Sequence, residues 1–157
     1  NDWISIRKEM MKSLQEAAIV CGFSDDVKSR ISHQLAHFNG PAPSDKWMDN
    51  HDCLQLAAIT YGRPIIALNC STAYSTLFLP LNLPVSQYKD LPIGIWYDGS
   101  IHYKMLPLSQ LPENQLILPG LDHLAVHWMR TNKIWRKELL TWLKNSSLSK
   151  FKFSSLD

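Results

Sequence analysis

Six histidines and three cysteines are the side chains best suited to proton transfer or nucleophilic attack near neutral pH. His102 stands out among them because of the stretch around it, Pro92-Ile93-Gly94-Ile95-Trp96-Tyr97-Asp98-Gly99-Ser100-Ile101-His102-Tyr103-Lys104-Met105-Leu106. Two apolar alternating runs are separated there by Asp98-Gly99, and both residues tolerate the positive φ that a tight hairpin turn requires. The second run therefore starts a strand with His102 near its beginning, at an edge where an imidazole can face a cleft. Such a residue is either a general base in need of a nucleophile or a partly exposed strand histidine.

The cysteines offer candidate nucleophiles. Cys53 lies in Asp49-Asn50-His51-Asp52-Cys53-Leu54, just after acidic helix caps. A helix N-terminus favours a thiolate, while the nearby acids oppose it. Cys21 falls at a helix end and Cys70 at a strand end, where buried structural thiols are the simpler expectation. No pair has the Cys-x-x-Cys spacing of a metal site, and an odd count of three suits free thiols in a reducing compartment. His33 and His37, and again His123 and His127, are four residues apart and could each share a metal. Neither pair has a third ligand at a diagnostic spacing, so a solvated helix face is the expectation for both. Neither a metal nor a cofactor is expected.

The elements that must position these residues follow from periodicity. From Ile4 to Val20, Ile6, Met10, Leu14, Ala17 and Ala18 recur at steps of three and four, which predicts an amphipathic helix ended by Gly22. Ser24, with Asp25 and Asp26 behind it, caps a second helix through Val27, Ile31, Leu35 and Phe38. After the Gly40–Ser44 loop comes a short apolar helix over Leu54–Ile59, stopped by Gly62. Pro64–Leu68 is a buried strand by its β-branched content. A short strand is expected around Ser75–Leu79, and another extended piece at Leu116–Leu118. Asp122–Leu143 carries one or two apolar helices whose tryptophans belong in a core. Trp96-Tyr97 is either core or the lining of a narrow channel, with core preferred.

The chain of 157 residues reads as one α/β (α+β) domain over 1–157, without an internal repeat. Within it fall a helical arm (1–40), a helix–strand–hairpin core (47–106), a C-terminal helical segment (119–144) and a tail (145–157) that is a short edge strand or a mobile end. A net charge of +2 with scattered basic residues excludes an electrostatic nucleic-acid binder. No apolar run approaches the roughly 20 residues of a membrane span. No signal peptide is read at the start, where Asn1-Asp2-Trp3 is expected to be either an expression boundary or a cut within a longer protein.

Taken together, Trp47, the helix with Cys53-Leu54-Gln55-Leu56-Ala57-Ala58, Gly62, the strand Ile65–Leu68 and the hairpin ending in His102-Tyr103 resemble the ovarian tumour (OTU) family of cysteine proteases, which remove ubiquitin from proteins. The resemblance covers about Ile4 to Leu106 and rests on order, spacing and a few side chains. It implies a papain-like fold with a small, mostly antiparallel central sheet between helices. It further implies ubiquitin or polyubiquitin as partner and His102 as general base. Domains this divergent resemble those that intracellular bacteria secrete into host cells, which would place the chain in a reducing host cytosol.

Two family parts are out of place. The nucleophilic cysteine normally lies in an Asp-Gly-x-Cys-Leu-Phe motif ahead of the first matched helix, and Lys104 stands where an Asp or Asn usually orients the histidine. One resolution is internal: Pro119-Gly120-Leu121-Asp122-His123-Leu124-Ala125-Val126-His127-Trp128 resembles that motif with one residue inserted. Ala125 would then mark the nucleophile position of a circularly permuted domain, inactivated by design or naturally, and Asp122 would match the Asp shaping the oxyanion loop. Alternatively, Asp122 caps a core helix and Ala125 packs inside it. Cys53 is the second nucleophile candidate, and a thiol on another polypeptide the third. Besides a deubiquitinase, the expectations include a non-catalytic ubiquitin- or partner-binding module and a papain-like protease or amidase using Cys53.

Overall fold

The computed structural model describes residues 2–48, 51–69, 75–89, 91–97, 103–107 and 120–150. The long N-terminal helix α1 (Asp2–Cys21) buries Met10, Leu14, Ala17, Ala18 and Cys21, the stripe its periodicity predicts. Helix α2 (Asp25–Leu35) starts where Ser24 Oγ accepts the Val27 N–H at 3.3 Å. It ends three residues before Phe38, because Ala36 leaves helical angles and the chain turns to stack His37 on Trp3. Helix α3 (Asp52–Tyr61) is closed by Gly62 at φ +59°, a conformation that costs a Cβ-bearing residue dearly. Met10, Leu14, Ile31, Leu35, Cys53, Leu56 and Ile59 join these three helices in one apolar cluster.

Gly62 turns the chain into β1 (Ile65–Asn69), which forms a hairpin with β2 (Thr76–Phe78). The chain then returns past a 3-10 turn at Val85–Gln87 to the start of β1 before β3 (Ile93–Tyr97) begins. Because of that return β3 runs parallel to β1, with Ile65 beside Ile93 and Asn69 beside Tyr97. Strand β4 (Tyr103–Leu106) pairs antiparallel with β3, Tyr103 facing Tyr97. A short strand, β5 (Gly120–Leu121), lies parallel to β2 and completes the five-stranded order β4-β3-β1-β2-β5.

The class is α+β, with the sheet between helices. The sheet is evenly mixed rather than mostly antiparallel: β1·β3 and β2·β5 are parallel, β1·β2 and β3·β4 antiparallel. The period-2 alternation of β1 explains the layers. Ile66 and Leu68 face Leu77, Leu121, Met129, Trp135, Leu139 and Leu143, the core under α4 (His123–Thr131) and α5 (Lys133–Asn145). Ile65 and Ala67 face Ala58, Phe78, Ile93 and Ile95 on the α3 side.

The C-terminal segment is two helices, broken at Asn132, whose side chain leaves the helical path to accept the Trp135 N–H at 3.0 Å. After α5 the chain makes a 3-10 turn at Ser147–Lys150 with Leu148 buried; the rest of the tail, 151–157, where a short edge strand or a mobile end is expected, lies outside the described residues. The expected extended piece at Leu116–Leu118 and the Asp98-Gly99 turn lie outside the described residues. Among the described residues, no helix is long and apolar enough to cross a membrane.

Candidate functional site

Two places in the described structure gather chemistry-bearing side chains. The first is where the N-termini of α3 and α4 meet at the edge of β2. Asp122 follows β5, and its backbone N–H is fixed by the Leu77 carbonyl at 3.1 Å. Its side chain is fully buried and caps α4, Oδ2 accepting the Leu124 N–H at 2.9 Å. The other oxygen, Oδ1, is approached by His51 Nε2 at 2.6 Å and by His123 Nδ1 at 3.2 Å. The two imidazoles stack with centroids 4.8 Å apart, and His51 also meets Phe78 edge-on. His51 Nδ1 faces Asp52 Oδ1 at 3.3 Å, and the far oxygen of Asp52 pairs with Arg30.

The electrostatics of this cluster follow from those contacts. Contact with the Asp122 carboxylate raises His51 from 6.5 to about 9, against the opposing effect of burial and with help from Asp52. Burial pushes the Asp122 carboxyl up, but His51, the Leu124 N–H and the nearby imidazole charges together hold it below its ordinary value. Cys21 lies within electrostatic reach: burial first, then Asp122 and Asp52, push its thiol up to about 12, which leaves it protonated and inert.

The second place is a cavity of about 650 Å³ between α1, α3 and the sheet, lined by Ile6, Cys53, Ala57, Ile65, Ile95 and Met105 among others. Met105 on β4 is 77% exposed, a large apolar side chain at its mouth. Cys53 is only 2% exposed, and its thiol donates to Gln34 Oε1 at 3.6 Å. Arg7, also buried, lies within electrostatic reach of that thiol and donates to the Gln34 and Lys46 carbonyls.

His102 lies outside the described residues; Tyr103, next in the chain, opens β4 on one edge of the sheet. Ala125 is 1% exposed and packs in the α4–α5 core, beyond β5 on the opposite edge. Four strand spacings separate those edges, about 19 Å at 4.8 Å each. The structure thus does not bring Ala125 and β4 together. Asp122 is the cap of a core helix; the chain before Gly120 that would form an oxyanion loop lies outside the described residues. Cys53 is on the α3 side and shares a cavity with β3 and β4 residues. Cys70 is outside the described residues.

The histidine pairs do not behave as helix pairs. His33 sits beside Asp45 and Lys46, whereas His37 has left α2 and stacks on Trp3. His123 joins Asp122 and His51, while His127 is exposed a turn further along α4. The association of His51 with Asp122 and His123 escapes a sequence reading because it spans two distant helix starts. The signal that could have found it is the His–Asp adjacency at both: His51-Asp52 and Asp122-His123. Comparison of the chain with family models, with curated proteins and with solved structures gives no match.

Proposed function

We propose that the chain is an OTU-like domain that engages the C-terminus of ubiquitin or a related modifier, with His102 as general base of a thiol isopeptidase. The observation that carries this reading is the β1–β3–β4 arrangement. A capped helix α3 leads through Gly62 into β1, and β3 and β4 pair antiparallel on either side of the Asp98–His102 connection, in the order the resemblance implies. In such a reaction a thiolate attacks the isopeptide carbonyl, and the departing lysine amine takes its proton from the imidazolium. Water then releases the acyl group from sulfur.

The strand order weighs against Ala125 as the thiol position. Cys53 is better placed, since it lines a cavity with Ile95 of β3 and Met105 of β4. Its burial favours a second reading, a non-catalytic module whose apolar trough holds a partner. An electrophilic ubiquitin probe separates the two. Covalent capture that maps to one cysteine and fails in His102→Ala supports the isopeptidase. Saturable ubiquitin binding in calorimetry without capture supports the module. Absence of both capture and binding removes the ubiquitin reading altogether.

A further inference from the structure

We propose that His51 Nε2, Asp122 Oδ1 and His123 Nδ1 form a Zn²⁺ site that clips the N-terminus of α3 to the N-terminus of α4. The inference does not rest on the OTU-like reading, because it uses neither His102 nor a thiol, although His51 lies two residues before Cys53.

Three observations converge. The donor atoms of the three residues all lie within 4.8 Å of one another, two imidazole nitrogens and one carboxylate oxygen, the donor set that suits zinc once the metal displaces the proton shared by His51 and Asp122. Bonds of about 2.0 Å at tetrahedral angles put ligand atoms roughly 3.3 Å apart. The 3.2 Å separation of His123 and Asp122 already fits. The 2.6 Å separation of His51 and Asp122 must lengthen and the two ring nitrogens, up to 4.8 Å apart, must close, which side chains 46% and 69% exposed at two helix entrances can do by rotating.

The second observation is directional. Asp122 Oδ1 is buried and receives no aligned hydrogen bond, although two ring nitrogens crowd it. A cation shared by Nε2 and Oδ1 sits off the line joining them, as a chelated metal does.

The third is the support behind the ligands. Asp52 Oδ1 faces His51 Nδ1 at 3.3 Å and holds the ring with Nε2 toward Asp122, where Zn²⁺ would take the place of the Nε2 proton. The Leu124 N–H holds Asp122 Oδ2 at 2.9 Å and so aims Oδ1 at the imidazoles. His123, 69% exposed, leaves the outer side open for water as fourth ligand.

The test uses the untagged, chelator-treated chain titrated with Zn²⁺ in a calorimeter, with Co²⁺ as a spectroscopic substitute. The expected result is one saturable site per chain, visible bands of a low-symmetry Co²⁺ complex, and a higher Tm with Zn²⁺. His51→Ala and His123→Ala should each weaken binding at least about tenfold, Asp52→Asn about tenfold, and His127→Ala not at all. His123 is a surface side chain, so His123→Ala keeps the fold and decides the matter even if another variant does not. No saturable binding by the unmodified chain, or unchanged affinity in His123→Ala, overturns the proposal.

Discussion

Replacing Asp122 by Asn isolates the charge of the His51–Asp122 pair from everything else that Asp122 does. Asn is as good a helix cap as Asp, so the bond to the Leu124 N–H survives. What is lost is the carboxylate that lifts His51 from 6.5 to about 9. That lift would be worth about 3 kcal/mol for a sealed group. The His51 ring is 46% exposed, and solvent screening brings the figure down to about 1 kcal/mol. The sign follows from linkage. A raised histidine stabilises the fold fully below 6.5 and loses that contribution as pH rises through about 9. Asp122, held below 3.8, contributes above that value and loses its share as pH falls. The metal-free parent should therefore exceed Asp122→Asn by about 1 kcal/mol near pH 6, roughly 0.5 M in urea midpoint. The gap should close by about pH 10. Urea titrations at the two pH values in the presence of a chelator measure it. A gap of equal size at both, or a more stable variant near pH 6, would refute the assignment of an imidazolium–carboxylate pair.

Three other substitutions probe the frame around the two sites. Gly62→Ala places a Cβ 3.0 Å from Leu83 Cδ1 at φ +59° and should cost about 1–2 kcal/mol in denaturant titrations. Leu139→Ala empties a fully buried position between α5 and the sheet, for an expected loss of about 2–5 kcal/mol by the same assay. Ala125→Cys should give a thiol that resists alkylation in the folded chain and no turnover of a fluorogenic ubiquitin amide, because α4 follows the edge strand opposite β4; measurable turnover would revive the permuted arrangement.

Local chemistry was readable wherever one short segment determined the outcome. Ser24, Gly62 and Asp122 act as caps because the backbone groups they satisfy lie within three or four residues. The apolar stripe of α1 was equally plain, since a helix face is fixed by its own period, and β1 was readable from the β-branched content of one short run. Pairing was less legible. The parallel alignment of β3 on β1 depends on the return of residues 79–92 to the start of β1, which no periodicity encodes. The two-residue strand β5 is too short to alternate, and its place beside β2 is set by the buried Leu121 and by the Asp122 N–H on Leu77. The same deficit hid the histidine cluster, because His51 and Asp122 meet only once β5 has been laid on the sheet. The Asp122 assignment illustrates the division: its cap role was local and readable, its imidazole partners were not.

That dependence explains why the cluster and the β3–β4 connection are separable properties of one fold. Asp122 is held at the level of Leu77, which pairs with Ile66 on β1 and through it with Gly94 on β3. Tyr103 pairs with Tyr97, three residues further along β3 and, with β4, on the far edge. The two regions are thus about 10 Å apart along the strands as well as about 19 Å across them. No direct charge interaction of consequence survives that separation, at more than twice the screening length in physiological salt. Any influence of His51 and His123 on chemistry at the hairpin acts through the sheet, whose Ile66, Leu68 and Leu77 are fully packed, or through the first turn of α3, where Cys53 follows His51 by two residues. Zinc or its removal would accordingly shift the stability of the whole domain, while the environment of the β3–β4 strand ends stays as the sheet register sets it.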